Sequence, residues 1–188
     1  MNFNFLKRLS AGMALCLALL TGGAAHATVI PYNFDVTGIA SNDVFGTAGN
    51  ELRQIYIRPF AHIVSIGWDV NLTAVTPSWL SELAVDVSDG GANGFSLTPG
   101  FGADASGTRS FSGFADLVGL GLDFFLSSTG FLYLEFFDSF KDNVGSRDGI
   151  WNSGTLRIGA VPEPGSIALV ALALVAGGAV TRRRAKSA

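Results

Sequence analysis

The stretch Val64–Thr73, VSIGWDVNLT, sets Val64, Ile66, Trp68, Val70 and Leu72 at every second position, with Ser65, Gly67, Asp69, Asn71 and Thr73 between them. Successive side chains of an extended chain point to opposite faces, so this alternation reads as a long, half-buried antiparallel strand with Trp68 in phase with the core. Weaker copies of the pattern lie at Leu83, Val85 and Val87, at Leu120, Leu122, Phe124 and Leu126, and at Leu132, Leu134 and Phe136. Further strands are expected near Tyr32–Val36, Leu52–Ile57, Thr108–Phe114 and Gly154–Ile158. Between them run turn-forming stretches: Asp89–Gly94, Thr98–Gly100 and Ser127–Gly130. No sustained helical period occurs between the two ends of the chain, although Ser78–Leu83 has room for one turn. The expected fold is all-β: a single antiparallel β-sandwich of jelly-roll type over residues 28–160.

Both ends of the chain depart from this pattern. At the start, Lys7 and Arg8 precede an apolar run from Leu9 to Leu20, and Ala25-His26-Ala27 follows as an A-x-A site. Those are the three parts of a secretory signal peptide over residues 1–27, cut after Ala27 and handled by the general secretion machinery. Cys16, the sole cysteine, leaves with it, so the exported part has no disulfide and no cysteine-held metal. At the other end, residues 161–188 read VPEPGSIALVALALVAGGAVTRRRAKSA. Pro162 and Pro164 prevent a helix from extending back into the domain. An uncharged run follows, with a transmembrane helix expected over 166–180 in the inner membrane. The basic tail 182–188, led by Arg182, Arg183 and Arg184, stays on the cytoplasmic side. The uncharged stretch from Gly165 to Val180 is short for a durable anchor, at about 24 Å against a hydrocarbon core of about 30 Å.

This order of Pro162-Glu163-Pro164, apolar helix and arginine cluster resembles the PEP-CTERM sorting signal. The resemblance implies processing by exosortase, a membrane transpeptidase-like protease, in a Gram-negative bacterium that makes exopolysaccharide. It further implies a cell-surface or extracellular-matrix protein, anchored in the membrane until the tail is removed. The same tail is sometimes labelled an ice-binding protein C-terminal domain, a label that does not imply ice binding. The run Ile63–Val87, with Gly67-Trp68-Asp69 and Pro77-Ser78-Trp79, is similar to the exported domain of many such proteins. Phe137–Ile158 faintly resembles the closing strands of jelly-roll modules such as the proprotein-convertase P domain.

Trimming both ends changes the electrostatics. The whole chain has a formal charge of -3, but residues 28–161 retain six cations (Arg53, Arg58, Arg109, Lys141, Arg147 and Arg157) against 14 of the 15 acids, a charge of -8. Such a surface disfavours nucleic acid and anionic lipid as electrostatic partners.

The candidate chemistry is sparse. His62 is the only histidine after the signal peptide and is flanked by Phe60, Ala61, Ile63 and Val64. No serine lies in a G-x-S-x-G elbow, so a hydrolytic triad is not expected and His62 reads as structural. Glu82, Asp86, Glu135 and Asp138, on strand ends, are the candidates for the acid and base pair that a glycosidase requires, and the sequence does not say which of them face one another. Asp138, Asp142, Asn143 and Asp148 crowd one polar loop, and calcium takes several hard oxygen ligands, so Asp138, Asp142 and Asp148 are the candidate metal ligands. That spacing matches neither an EF-hand nor the nonapeptide calcium repeat. Trp79 is the tryptophan expected at the surface, and Phe136, Phe137 and Phe140 cannot all face inward. The triplet Asn71-Leu72-Thr73 fits a glycosylation acceptor by pattern alone. The sequence thus points to a non-enzymatic structural or binding protein, and the resemblance to PEP-CTERM proteins implies extracellular polysaccharide as its partner. A calcium-dependent carbohydrate-binding module and a carboxylate-based carbohydrate-active enzyme are the alternatives.

Overall fold

The computed structural model describes residues 28–162. In chain order the elements are β1 (Ile30–Asp35), β2 (Ile39–Ser41), β3 (Glu51–Tyr56), β4 (His62–Ala74), β5 (Leu83–Ser88), β6 (Gly94–Leu97), β7 (Gly107–Asp116), α1 (Leu117–Leu120), β8 (Phe124–Phe125), β9 (Phe131–Asp138) and β10 (Gly149–Val161). All pairings are antiparallel. One sheet has the order β1-β10-β4-β7, with β2 added to β10 and β8 added to β4; the other has the order β3-β9-β5-β6. The alternating stretch lies within β4, the spine of the larger sheet, held by β10 on one side and β7 on the other.

The two sheets share one core. Ile66, Val70 and Leu72 of β4 and Leu156 and Ile158 of β10 meet Leu83, Val85 and Val87 of β5 and Leu132, Leu134 and Phe136 of β9. Each fully buried leucine or valine contributes on the order of 2 kcal/mol, so this interface is the main stabilising element. The Phe136 ring lies edge-on to Trp151 with centroids 5.1 Å apart, and Phe34 stacks from the far side at 6.2 Å. Trp151 is fully buried and its indole N–H donates to Ser41 Oγ at 3.3 Å.

Several expectations are refined. A register shift leaves Val64 without a partner between Ser65, opposite Gly159, and Ile63, opposite Ala160. The extra residue reverses the phase, so Ile63 joins the core and Val64 borders an outer groove. Trp68 is on the inner face as expected, but half-buried near the edge, with its indole N–H buried and unpaired. A second shift leaves Asn152 of β10 unpaired, and its amide donates to Asn71 Oδ1 at 2.8 Å and to Thr73 Oγ1 at 2.7 Å. Beside it Gly154 has φ +127°, and a Cβ there would come within 2.2 Å of the Asp69 carbonyl oxygen, so no other residue fits without rearrangement.

The strand expected across Leu120–Leu126 does not form as one element. Asp116 accepts from Val118 N at 3.2 Å and starts the single turn α1, which Gly121 closes at φ +68°; only Phe124–Phe125 then pairs, with His62 and Ile63. Local capping overrides the alternation there, because Leu120 and Leu122 have no core to enter. The short strands β2 and β6 carried too little pattern to be foreseen. The helix expected over 166–180 lies outside the described residues, and among the described residues no helix is long and apolar enough to cross a membrane.

The loops gather at two ends. At one end are 57–61, 89–93, 117–130 and the last residues of β10; at the other are 36–50, 75–82, 98–106 and 139–148.

Candidate functional site

The four candidate carboxylates separate into two pairs. Asp86 and Glu135 are cross-strand partners on the outer face of the smaller sheet, where directly opposed side chains are neighbours. They line an open cleft of about 690 Å³ together with Phe45, Leu52, Gln54 and Tyr133. Register builds this face: Leu52 lies opposite Glu135, and Gln54 opposite Tyr133. The hairpin residue Gly90, at φ +79°, lies against Tyr133, and a Cβ there would fall 2.6 Å from the ring.

Burial pushes the Asp86 carboxyl above the usual range; Ser88 and Ser96 hydroxyls pull it back in part, and the neighbouring Glu135 charge raises it further. Glu135 Oε1 accepts from Gly46 N at 2.7 Å and Asn50 Nδ2 at 2.8 Å, which fixes it against the 42–50 loop. That loop also covers the outward side of β9, where Phe45 meets Phe137 edge-on at 5.4 Å. Phe137 is thereby buried and Phe140 remains exposed, while Phe136 faces the core.

The second pair, Glu82 and Asp138, is enclosed. Ser78 Oγ lies 3.1 Å from both Glu82 Oε2 and Asp138 Oδ2. Asp138 Oδ1 accepts from Phe140 N at 3.1 Å, and Glu82 Oε2 accepts from Trp79 N at 2.7 Å. Asp138 and Ser78 are fully buried. Desolvation pushes Asp138 from 3.8 up to about 6; bonds from Phe140 N and Ser78 oppose the shift, and the charges of Asp148 and Glu82 add to it. One hydroxyl carries one hydrogen. Both short contacts are satisfied together when protonated Asp138 donates to Ser78 and Ser78 donates to Glu82.

The candidate calcium ligands do not converge. Asp138 faces Ser78, whereas buried Asp148 accepts from Asn143 N at 2.6 Å and from Lys141 Nζ at 3.0 Å. The same ammonium donates to Ser146 O at 2.5 Å and to Asn42 O. A lysine cation therefore occupies the oxygen-lined position that the sequence suggested for a metal, and Asp142 is half-buried outside the arrangement. Among the described residues no group of three or more histidine, cysteine, aspartate or glutamate side chains is placed to hold a metal ion. Lys141 is absent from the candidates above; with Arg147 it is one of two cations in the 139–148 loop, and nothing in the sequence marks which of them turns inward.

His62 Nε2 lies 2.7 Å from Asp123 Oδ2, and its ring stacks on Phe125 with centroids 4.2 Å apart. Among the described residues no serine hydroxyl bonds to it. Trp79 is exposed, and Asn71 Nδ2 donates to Ser110 Oγ at 2.9 Å within the outer polar ladder of the larger sheet. Ala25, Ala27, Glu163, Pro164, Arg182, Arg183 and Arg184 lie outside the described residues; Pro162 is the last one described.

The described part is thus a two-sheet antiparallel β domain whose last strand leads directly into a proline-rich exit. Residues 160–184, which contain that exit, match the PEP-CTERM protein-sorting motif. The motif implies an exported protein, sorted by exosortase and held at the membrane before display at the cell surface. Among solved structures, the chain is similar to the serine protease of Aeromonas sobria in complex with its chaperone ORF2. That match has a TM-score of 0.46 and 16% identity, covering 79% of this chain and 29% of that chain. The same protease alone gives a TM-score of 0.44 and 16% identity, over 76% and 29%. The chain thus spans less than a third of the protease chain. No curated protein matches it.

Proposed function

We propose that this is a non-enzymatic binding protein of the cell surface or exopolysaccharide matrix, anchored by its tail until exosortase removes it, and that the outer cleft of the smaller sheet takes a glycan. The observation that carries this reading is the pairing of Asp86 and Glu135 on an open sheet face beside Tyr133 and Gln54. Carboxylates and an amide there accept and donate to sugar hydroxyls, and the surrounding rings and Leu52 suit the apolar faces of pyranose rings. The formal charge of -8 over residues 28–161 selects a neutral or amine-bearing polysaccharide over an acidic one. The strand orders β1-β10-β4-β7 and β3-β9-β5-β6 support a jelly-roll reading of the sandwich.

The test is affinity electrophoresis of the protein recovered from its host, run through the host exopolysaccharide. Retardation is expected, with at least a tenfold loss of binding in the double variant Asp86→Ala/Glu135→Ala. Equal migration with and without polysaccharide would sink the proposal. One observation favours a second reading: Asp86 is raised and Glu135 is its neighbour, which is how an acid and a nucleophile are arranged in a glycosidase. Release of reducing sugar, abolished by either single amide substitution, would establish that reading instead.

A further inference from the structure

The end of the sandwich where β10 finishes presents an apolar surface of its own. Leu117 of α1 is buried and anchors the segment, but Val118, Leu120 and Leu122 beyond it are exposed, Leu120 at 62%. Phe125 and Phe60 flank them, and Phe114 stands 69% exposed on the adjoining outer face. That ring borders an open groove, floored in part by Gly67 and Gly159, which reaches Val161 itself. Soluble monomers rarely leave so many neighbouring large apolar side chains uncovered.

We propose that this end is a lipid-contacting face, lying on the bilayer while the tail is still attached; the inference rests on the reading that the apolar run from Ile167 is embedded in the membrane. Chain length argues for that occupant. From Val161 to Ile167 there are only six residue steps, spanning at most about 22 Å when fully extended, so an embedded tail keeps this end close to the interface. Charge argues the same way. The loops of this end carry Asp89, Asp123 and Arg58, whereas those of the opposite end carry Asp43, Glu82, Asp104, Asp142 and Asp148 against Lys141 and Arg147. The acid-rich end is the one that anionic lipid repels. Val118, Leu120 and Phe125 are of the type that enters the headgroup boundary with little change in fold. The outer cleft of the smaller sheet stays open sideways in this pose.

The test uses the tail-bearing chain without its signal peptide, residues 28–188, which has no cysteine of its own, reconstituted in nanodiscs of phosphatidylethanolamine and phosphatidylglycerol, with one fluorophore attached through Leu120→Cys, Val144→Cys or Leu174→Cys. Brominated lipid is expected to quench the probe at 174 strongly and the probe at 120 at least threefold more than that at 144, which lies in the opposite end and is 94% exposed. Quenching at 174 with equal, low quenching at 120 and 144 overturns the lipid-facing surface and leaves the anchor intact. Absence of quenching at 174 removes the anchor reading, and the proposal with it. Replacing Val118, Leu120 and Phe125 by serine, with the probe moved to Leu122→Cys, is expected to cut its quenching at least twofold while the far-ultraviolet circular dichroism is unchanged.

Discussion

Two carboxylate pairs lie on strands β5 and β9 or at their ends, and they differ in what surrounds them. Glu82 and Asp138 are enclosed by the 75–82 and 139–148 loops and have a partner for each short contact. Asp86 and Glu135 stand on an open sheet face, where the inner edge of Glu135 is fixed by the 42–50 loop and the remaining capacity faces the cleft. The residue types are the same, so chemistry at this surface is decided by loop cover. A pair tied by a shared serine and by backbone N–H groups holds the loops together, and a pair that faces an open cleft is available to a ligand.

The difference is sharpest at the cation that closes the first region. Lys141→Met leaves buried Asp148 without its ammonium and is expected to cost about 3–5 kcal/mol, read by urea denaturation. A loss below about 1 kcal/mol would show that the far-end loops do not depend on it. Asp138 gives the next effect. Its folded pKa is raised, so the folded state binds its proton more tightly than the unfolded chain does. Stability from this group is therefore lowest above about pH 6 and grows as pH falls toward 3.8. The gain from pH 7 to pH 4 is about 2 kcal/mol for the parent relative to Asp138→Asn, a difference that cancels the opposite trends of Asp35 and Asp89. Parallel pH profiles for the two proteins would refute it.

In the open pair the order should reverse between stability and binding. Glu135→Ala frees Gly46 N and Asn50 and is expected to cost about 1–2 kcal/mol. Asp86→Asn, which relieves a strained charge, should stay within about 0.5 kcal/mol while weakening glycan retention. The smallest effect is at Asp142, outside both arrangements. Asp142→Asn is expected to shift stability by less than about 0.5 kcal/mol, and millimolar calcium to leave the melting temperature of either form unchanged. A calcium-dependent rise would mean that Lys141 yields its place to the metal.

The legible part of this chain was the part dictated by periodicity and composition. Val70 and Leu72 of β4, Leu83 to Val87 of β5 and Leu132 to Phe136 of β9 went where their alternation placed them, because burial of one sheet face fixes register. Val64 and the first half of the Leu120–Leu126 run did not, whereas Phe124 and Leu126 reached the core. A single inserted residue reverses phase without a local mark, and the Asp116 and Gly121 caps outweighed a pattern with no core to serve. At the site, the acids could be named but not paired, since Asp86 meets Glu135 only through a strand register 49 positions apart in sequence. The sorting motif was readable throughout because its parts are contiguous.

The placement of β10 has a consequence in time. This strand lies between β1 and β4 and also carries β2, so the larger sheet lacks its middle until Gly149–Val161 is present. A chain threaded outward from its first residue delivers β1 early and its neighbour last, a few residues ahead of the sorting motif's apolar run. The larger sheet therefore cannot be completed before the residues just ahead of the sorting motif are in place.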